Sequence, residues 1–244
     1  MYFNQTFSEM KYKYILLTLV IGGLFSSCGS KQFKDPIDDM IRDMPSDRVF
    51  TIILYDMDVK GSIFNDYFHQ YKIIEEIDSL PTERMTDWVE VDKSYFTQHQ
   101  DNMGMEIAHR GEDGKLEKKV APPGYNRYVG NTRYGHWNNG VWAFYGQYMF
   151  MNSMFNMATY PVRRSYYDDY RTNYYGSGRS YYGPMTGGRN YYGTGSAYSG
   201  SYKPNSTWSN NTSSFKQRVS DRTSRSGSRY GGTSSRSRGG GSGK

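Results

Sequence analysis

The sequence predicts an α+β fold: a small antiparallel sheet with one or two helices, followed by a disordered low-complexity tail. Between residues 35 and 130, short apolar runs of period two lie between turn residues, the pattern of sheet strands. A well-signalled helix precedes the first of these runs. After Val162 the composition breaks, because residues 163–244 hold no Leu and no Ile and are dominated by Gly, Ser, Tyr and Arg. So few aliphatic groups offer little apolar area against an ordering cost of ~1–2 kcal/mol per residue. Charge divides at the same point: residues 1–162 carry 16 Lys+Arg against 21 Asp+Glu, and residues 163–244 carry 14 against 3. The overall +6 therefore hides an acidic first part and a strongly basic second part.

Residues 1–27 read as a signal segment. Lys11 and Lys13 precede an apolar run from Ile15 to Phe25, then Ser26, Ser27 and Cys28, the sole cysteine. The run is shorter than the ~20 apolar residues needed to span a bilayer and matches the apolar region of a signal peptide. Met10 opens an ordinary charged start, so residues 1–9 read as an overlong beginning. A basic start, a short apolar stretch, small residues and then a cysteine resemble a bacterial lipoprotein signal, although Phe25 stands where Leu is usual. The resemblance implies export, cleavage before Cys28, and diacylglyceryl and further acyl chains (palmitate among them) on that residue. At ~0.8 kcal/mol per buried CH₂, two or more chains anchor firmly where one does not. Gly29 occupies the place of the aspartate that retains such proteins at the inner membrane, so the outer membrane is expected. Residues 28–34 are a tether. With Cys28 consumed by lipid, no disulfide is available to the fold.

Residues 35–130 form the expected α+β domain. Asp35 is placed to cap a helix, Pro36 suits its first turn, Asp38 and Asp39 favour its positive end, and Pro45 stops it. Ile37, Met40, Ile41 and Met44 fall on one stripe. Residues 49–59 are the clearest strand: 50–54 are mostly apolar on both faces, as in a central strand. Beyond them Tyr55, Met57 and Val59 alternate with Asp56 and Asp58. Residues 67–74 read as a second strand and 88–91 as part of a third, after which Asp92 caps a short helical turn through Tyr95 and Phe96. Residues 103–110 and 115–120 flank Gly111-Glu112-Asp113-Gly114, a hairpin signal, and Pro122-Pro123-Gly124 ends the unit.

Residues 134–162 contain no Asp, Glu, Lys or Arg. Phe144, Tyr148, Met151, Phe155 and Ala158 recur at helical spacing, so 131–162 reads as an uncharged aromatic and Met-rich helical segment. It either covers the sheet or meets a membrane interface or partner.

In the tail, Arg164-Ser165-Tyr166-Tyr167, Arg171 with Tyr174-Tyr175, Arg179-Ser180-Tyr181-Tyr182 and Arg189-Asn190-Tyr191-Tyr192 form a loose Arg-and-paired-Tyr unit. Its spacing is too irregular for a solenoid. Arg218, Arg222, Arg225 and Arg229 continue as a spaced basic polymer. Polyanions are the natural ligands of such a chain; in an envelope these are lipopolysaccharide phosphates and acidic glycans, with envelope proteins as further partners. Export removes the usual nucleic-acid targets. A solvated spacer is the plain alternative.

Enzymatic signals are sparse. Ile52-Ile53-Leu54-Tyr55-Asp56-Met57-Asp58 resembles the first motif of haloacid-dehalogenase phosphatases, which makes a hydrolase using Asp56 and Asp58 the alternative function. Lys60 departs from that motif, and no strand–helix alternation follows to build the sheet such chemistry sits on. The same segment fails as a calcium loop, because Lys60 and Tyr67 stand at ligand positions. His69, His99, His109 and His136 lack metal-ligand spacing, and no cofactor motif is present.

Taken whole, residues 28–160 are similar to a group of uncharacterised lipoproteins from Gram-negative bacteria. The similarity rests on Tyr55-Asp56-Met57-Asp58-Val59, His69-Gln70-Tyr71-Lys72-Ile73-Ile74, Gln98-His99-Gln100-Asp101 with Met103-Gly104-Met105-Glu106-Ile107-Ala108, and Val120-Ala121-Pro122-Pro123-Gly124-Tyr125. It implies localisation and no activity. The expected function is a membrane-anchored, non-enzymatic structural or interaction role, with the tail binding polyanions or envelope partners.

Overall fold

The computed structural model describes residues 35–61, 65–211 and 213–227, with side chains up to 221. The signal segment, Cys28 and the tether lie outside the described residues. The fold is α+β, built on a mostly antiparallel sheet. Strand β1 (Phe50–Lys60) runs at its centre, between β2 (Asp66–Ile77) and β5 (Glu106–Arg110). Strands β3 (Leu80–Met85) and β4 (Val89–Val91) pair with the far side of β2, and β6 (Leu116–Glu117) pairs with β5. The central position follows from sequence: Phe50, Ile52, Ile53 and Leu54 are all buried, so both faces of β1 need cover.

A β-bulge shapes the end of this strand. Leu54 pairs with Tyr71 and Asp56 with Gln70, leaving Tyr55 as the extra residue. The bulge shifts the alternation by one, so Met57 and Val59 join Ile52 and Leu54 in one core. Asp56 is buried, so the simple alternation of Tyr55, Met57 and Val59 with Asp56 and Asp58 does not carry through the bulge.

Each sheet face carries its own core. On one, Ile52, Leu54, Tyr71 and Ile73 meet Ile37 at the start of helix α1 (Pro36–Arg42) and Phe96 of α2 (Lys93–Gln98). Both helices start as their sequences require: Asp35 accepts from the Ile37 N–H at 2.9 Å, and Asp92 from the Tyr95 N–H at 2.9 Å. On the other face, Ile53, Ile74, Met105 and Ala121 meet a layer built largely of tyrosine.

Three expectations change. Residues 140–158 are not one helix. Strands β7 (Gly135–Asn138) and β8 (Val141–Phe144) form a hairpin, followed by a 3₁₀ turn (Gly146–Tyr148) and the short helix α3 (Met151–Met154). Asn139 and Gly140 make the tight turn at φ 46 and φ 76, the pairing that two-residue hairpin turns favour. Trp137 and Trp142 face each other across it, ring centroids 5.2 Å apart. Phe144, Tyr148, Met151 and Phe155 are buried, so the apolar recurrence was real but belongs to several short elements. Among the described residues no helix is long and apolar enough to cross a membrane.

Strand β3 was not expected from the sequence. Its turn is Asp78-Ser79, both at positive φ without a glycine, and Pro81 argues against a strand. Because β3 is an edge, Pro81 is tolerated there.

The largest correction concerns the tail. The domain does not stop at Val162. Helix α4 (Arg164–Asp169) continues into a π-helical turn (Tyr170–Tyr174). Strands β9 (Met185–Thr186) and β10 (Arg189–Asn190) make a small ladder. Helices α5 (Ala197–Tyr202), α6 (Thr207–Asn210) and α7 (Ser213–Gly227) follow. Tyr170, Tyr181, Tyr192 and Tyr198 complete the tyrosine layer, and Trp208 and Val219 enter the opposite core. The aromatic rings supply the apolar area that the missing Leu and Ile do not. Residues 228–244, including Arg229, lie outside the described residues.

Candidate anion-binding surface and groove

The Arg-and-paired-Tyr units share a pattern: at least one tyrosine of each pair packs inward and the arginine stays outward, while Tyr175 remains exposed. Tyr125, from the loop after β6, is the hub. Its ring lies edge-on to Tyr167, Tyr170 and Tyr192 with centroids 5.6, 5.7 and 5.9 Å away, and Tyr181 is at 6.5 Å. Several of the tyrosine hydroxyls find partners inside: Tyr125 pairs with Tyr192 at 3.3 Å, Tyr182 donates to Asn102 at 2.6 Å, and Tyr198 donates to the Phe155 carbonyl at 3.0 Å, whereas those of Tyr181 and Tyr202 are buried without a hydrogen bond among the described residues. Burial raises the ionisation of Tyr125, Tyr192 and Tyr198, so these remain neutral donors. Gly130 makes room for the fold-back, because a Cβ there would sit 2.5 Å from the Tyr167 hydroxyl.

The arginines of the same units, Arg164, Arg171, Arg179 and Arg189, are all exposed, as is Arg218. Arg171 lies 3.8 Å from the Tyr175 ring centroid and Arg179 4.8 Å from that of Tyr174. Arg164 has Asp168 at 3.6 Å; among the described residues, Arg171, Arg179 and Arg189 have no carboxylate within ion-pairing distance. Arg222 and Arg225 lie on α7, and nothing is assigned to their side chains.

Asp56 and Asp58 are brought together by β1 but are occupied. Asp56 accepts from the Ser206 hydroxyl at 2.6 Å and the Met57 N–H at 2.8 Å, with Lys203 3.7 Å away. Asp58 accepts from Thr207 at 2.6 Å. Both carboxylates thus fasten the start of α6 to the sheet.

A groove of about 700 Å³ opens beside the Gly176–Ser180 turn. Ile37, Ile107 and Val120 line it together with Tyr95, His99 and the Gly176–Ser180 turn. Lys115, Lys118 and Lys119 line it with Asp35 and Glu117. Lys118 bridges Asp35 and Asp38, each at 2.6 Å, and Lys115 meets Glu117 at 2.5 Å. Burial would raise the Asp35 carboxyl, but hydrogen bonds from Lys118 and Ile37 and the Lys118 charge hold it below its ordinary value. Lys119 is different: among the described residues it has no carboxylate within ion-pairing distance, and its ammonium lies 4.8 Å from the Tyr175 ring. Burial, with the Lys115 and Arg171 charges, holds its ionisation below the usual lysine range despite Glu117.

An adjoining cleft of about 260 Å³ shares Lys115 and Glu117 and is lined by His109, Arg127, Asn131 and Tyr175. Beneath it Glu106 is fully buried, accepting from Asn126 at 2.6 Å and the Gly124 N–H at 3.2 Å. His109 Nδ1 lies 3.1 Å from Glu106, an ion-pair contact whose alignment falls short of a directed hydrogen bond. Burial disfavours the charged imidazole, but Glu106 and Glu117 outweigh it and raise the ionisation of His109. Arg127 is engaged with Glu76 at 2.6 Å.

The remaining histidines divide. His69 and His99 are neighbours, ring centroids 6.2 Å apart, and His136 stacks on Tyr145. Among the described residues no group of three His, Cys, Asp or Glu side chains is arranged to hold a metal ion. Sequence reasoning passed over Lys115, Lys118, Lys119, Tyr175 and the Glu106–His109 pair. The basic run Lys118-Lys119 beside a hairpin was the available signal, whereas nothing local links it to Tyr175. Comparison with known protein families, curated proteins and solved structures finds no match to this chain.

Proposed function

We propose that the protein is a lipid-anchored envelope protein that binds polyanions on an arginine surface, with a non-enzymatic interaction role. The observation that carries this reading is the division of each repeat: at least one tyrosine of each pair packs into the core while Arg171, Arg179 and Arg189 remain exposed without a carboxylate partner among the described residues. Arginines held on a folded surface lose less freedom on binding than the same residues on a loose polymer. Lipopolysaccharide phosphates and acidic glycans fit this chemistry, and Cys28 would keep the surface at a membrane, the outer one by the Gly29 rule.

The test is binding of the full chain to anionic vesicles and to an acidic polysaccharide over a salt series. Replacing Arg164, Arg171, Arg179 and Arg189 together by Gln should weaken binding and flatten the slope of log affinity against log salt, by roughly 0.7–0.9 for each phosphate that is no longer neutralised. Unchanged affinity and slope would reject the arginine surface. Separately, Cys28→Ser should abolish palmitate incorporation and release the protein from the membrane fraction; retention would reject the anchor. The alternative hydrolase reading has less support, since Asp56 and Asp58 already hold Ser206 and Thr207.

A further inference from the structure

We infer that the groove between α2, β6 and the Gly176–Ser180 turn is a binding site for a short acidic saccharide. Its volume of about 700 Å³ falls within the ~300–1,000 Å³ of small-ligand sites. The site borders the arginine display at Arg171 but is concave and partly apolar, so it goes beyond the polyanion reading.

Charge is the first argument. Lys115, Lys118 and Lys119 face Asp35 and Glu117, and the ion pairs assign Lys115 and Lys118 to carboxylates already present. Asp38 also pairs with Lys118, so lysines and carboxylates balance in number, but Lys119 is the lysine with no carboxylate within ion-pairing distance among the described residues. Arg171 contacts the same Tyr175 ring, with the guanidinium 3.8 Å and the ammonium 4.8 Å from its centroid. Two like charges share one aromatic ring, an arrangement that an anion between them would relieve.

Shape and polarity give the second argument. The apolar lining of Ile37, Ile107 and Val120 and the Tyr95 ring suit the C–H faces of sugars. Gln98, His99 and Ser180 offer hydroxyl partners in the lining. Gly176 and Gly178 add no side chain to the groove, where the space a Cβ would take is open, so bare backbone faces it. A purely apolar ligand would leave Lys119 buried against it unpaired, and a bare inorganic anion would leave the apolar lining uncovered. An acidic saccharide satisfies both halves.

The full chain is titrated calorimetrically with trigalacturonate, with a glucosamine disaccharide bearing two phosphates, with inorganic phosphate and with neutral maltotriose. At least one acidic saccharide should bind with Kd below about 1 mM, at least tenfold more tightly than maltotriose or inorganic phosphate, and whichever acid binds identifies the anion. Lys119→Glu should weaken that binding at least tenfold, and Ser180→Glu, in the Gly176–Ser180 turn, should do the same should the first variant not fold. Arg189→Glu should leave it within twofold while still weakening binding to the long polyanion. The inference is overturned when no acidic saccharide binds in this range, when maltotriose or phosphate binds as well, or when Arg189→Glu weakens the short ligand as much as the groove variants do. Loss of long-polyanion binding by Arg189→Glu reports on the arginine surface alone.

Discussion

Replacing Tyr198 by alanine tests whether residues 163–221 belong to the core. The ring is buried, lies 4.9 Å from Tyr192 and 5.6 Å from both Tyr202 and Tyr160, and its hydroxyl donates to the Phe155 carbonyl at 3.0 Å. Emptying a site of this size costs ~3–5 kcal/mol, by analogy with buried Phe and Trp. At ~2–4 °C per kcal/mol for a chain of this length, the melting temperature should fall by roughly 6–20 °C. Tyr198→Phe keeps the ring and orphans only the carbonyl, so it should cost about 1–2 kcal/mol. Met185→Ala, at an exposed position of the same segment, should stay within ~0.5 kcal/mol. Thermal and urea unfolding followed by near-ultraviolet circular dichroism distinguishes the three. If Tyr198→Ala melts within about 2 °C of the parent, the segment is not docked, and the composition argument for a tail beginning at residue 163 stands instead.

Asp56→Ala should destabilise by about 1–3 kcal/mol, since the buried Ser206 hydroxyl and nearby Lys203 lose their partner. It should also speed chymotryptic cleavage after Trp208, which is buried on α6; unchanged cleavage would mean that α6 is held by other contacts. Stability should fall as pH drops from about 6.5 toward 5. Burial lowers His99 to about 4 and puts His69 well below its ordinary value, so the unfolded chain takes up protons there that the fold refuses. His99 alone is worth on the order of 3 kcal/mol across its whole window. His109 acts with the opposite sign: its contribution is complete below the unfolded value and is lost as pH rises through its raised folded value. Urea midpoints at pH 7 and pH 5 for the parent and His99→Gln check this, and a midpoint that does not move in the parent would refute it. Gly140→Val, forcing a β-branched side chain to φ 76, should cost at least ~1–2 kcal/mol; an unperturbed melt would mean that the hairpin turn is not formed as described.

What the sequence disclosed and what it concealed differ in range of interaction. The α1 cap at Asp35, the α2 cap at Asp92 and the Gly111–Gly114 hairpin are each decided within four or five residues, and each was legible. The bulge at Tyr55 was not, because it depends on which residues of β2 lie opposite. The 140–158 segment failed on competition between signals: a helical recurrence of aromatics outweighed Asn139-Gly140, although the two-residue turn is the more specific of the two.

The tail shows the deeper reason. Counting Leu, Ile and Val measures one route to a core, and residues 163–221 take another. Tyrosine carries a ring comparable to phenylalanine and a hydroxyl that must be matched when buried. Isolated tyrosines would therefore make poor core material, but here their partners are one another and nearby backbone or amide groups: Tyr192 for Tyr125, Asn102 for Tyr182 and the Phe155 carbonyl for Tyr198. Each pairing joins residues 102–155 to residues 182–198, far apart in sequence, so no local window contains it. The same fold-back determines the candidate site. Tyr175 and the Gly176–Ser180 turn reach Lys119 only because Tyr170 and Tyr181 on either side are drawn into the layer around Tyr125. A tail read as free polymer could offer only charge; once folded, it also supplies part of the lining of a groove.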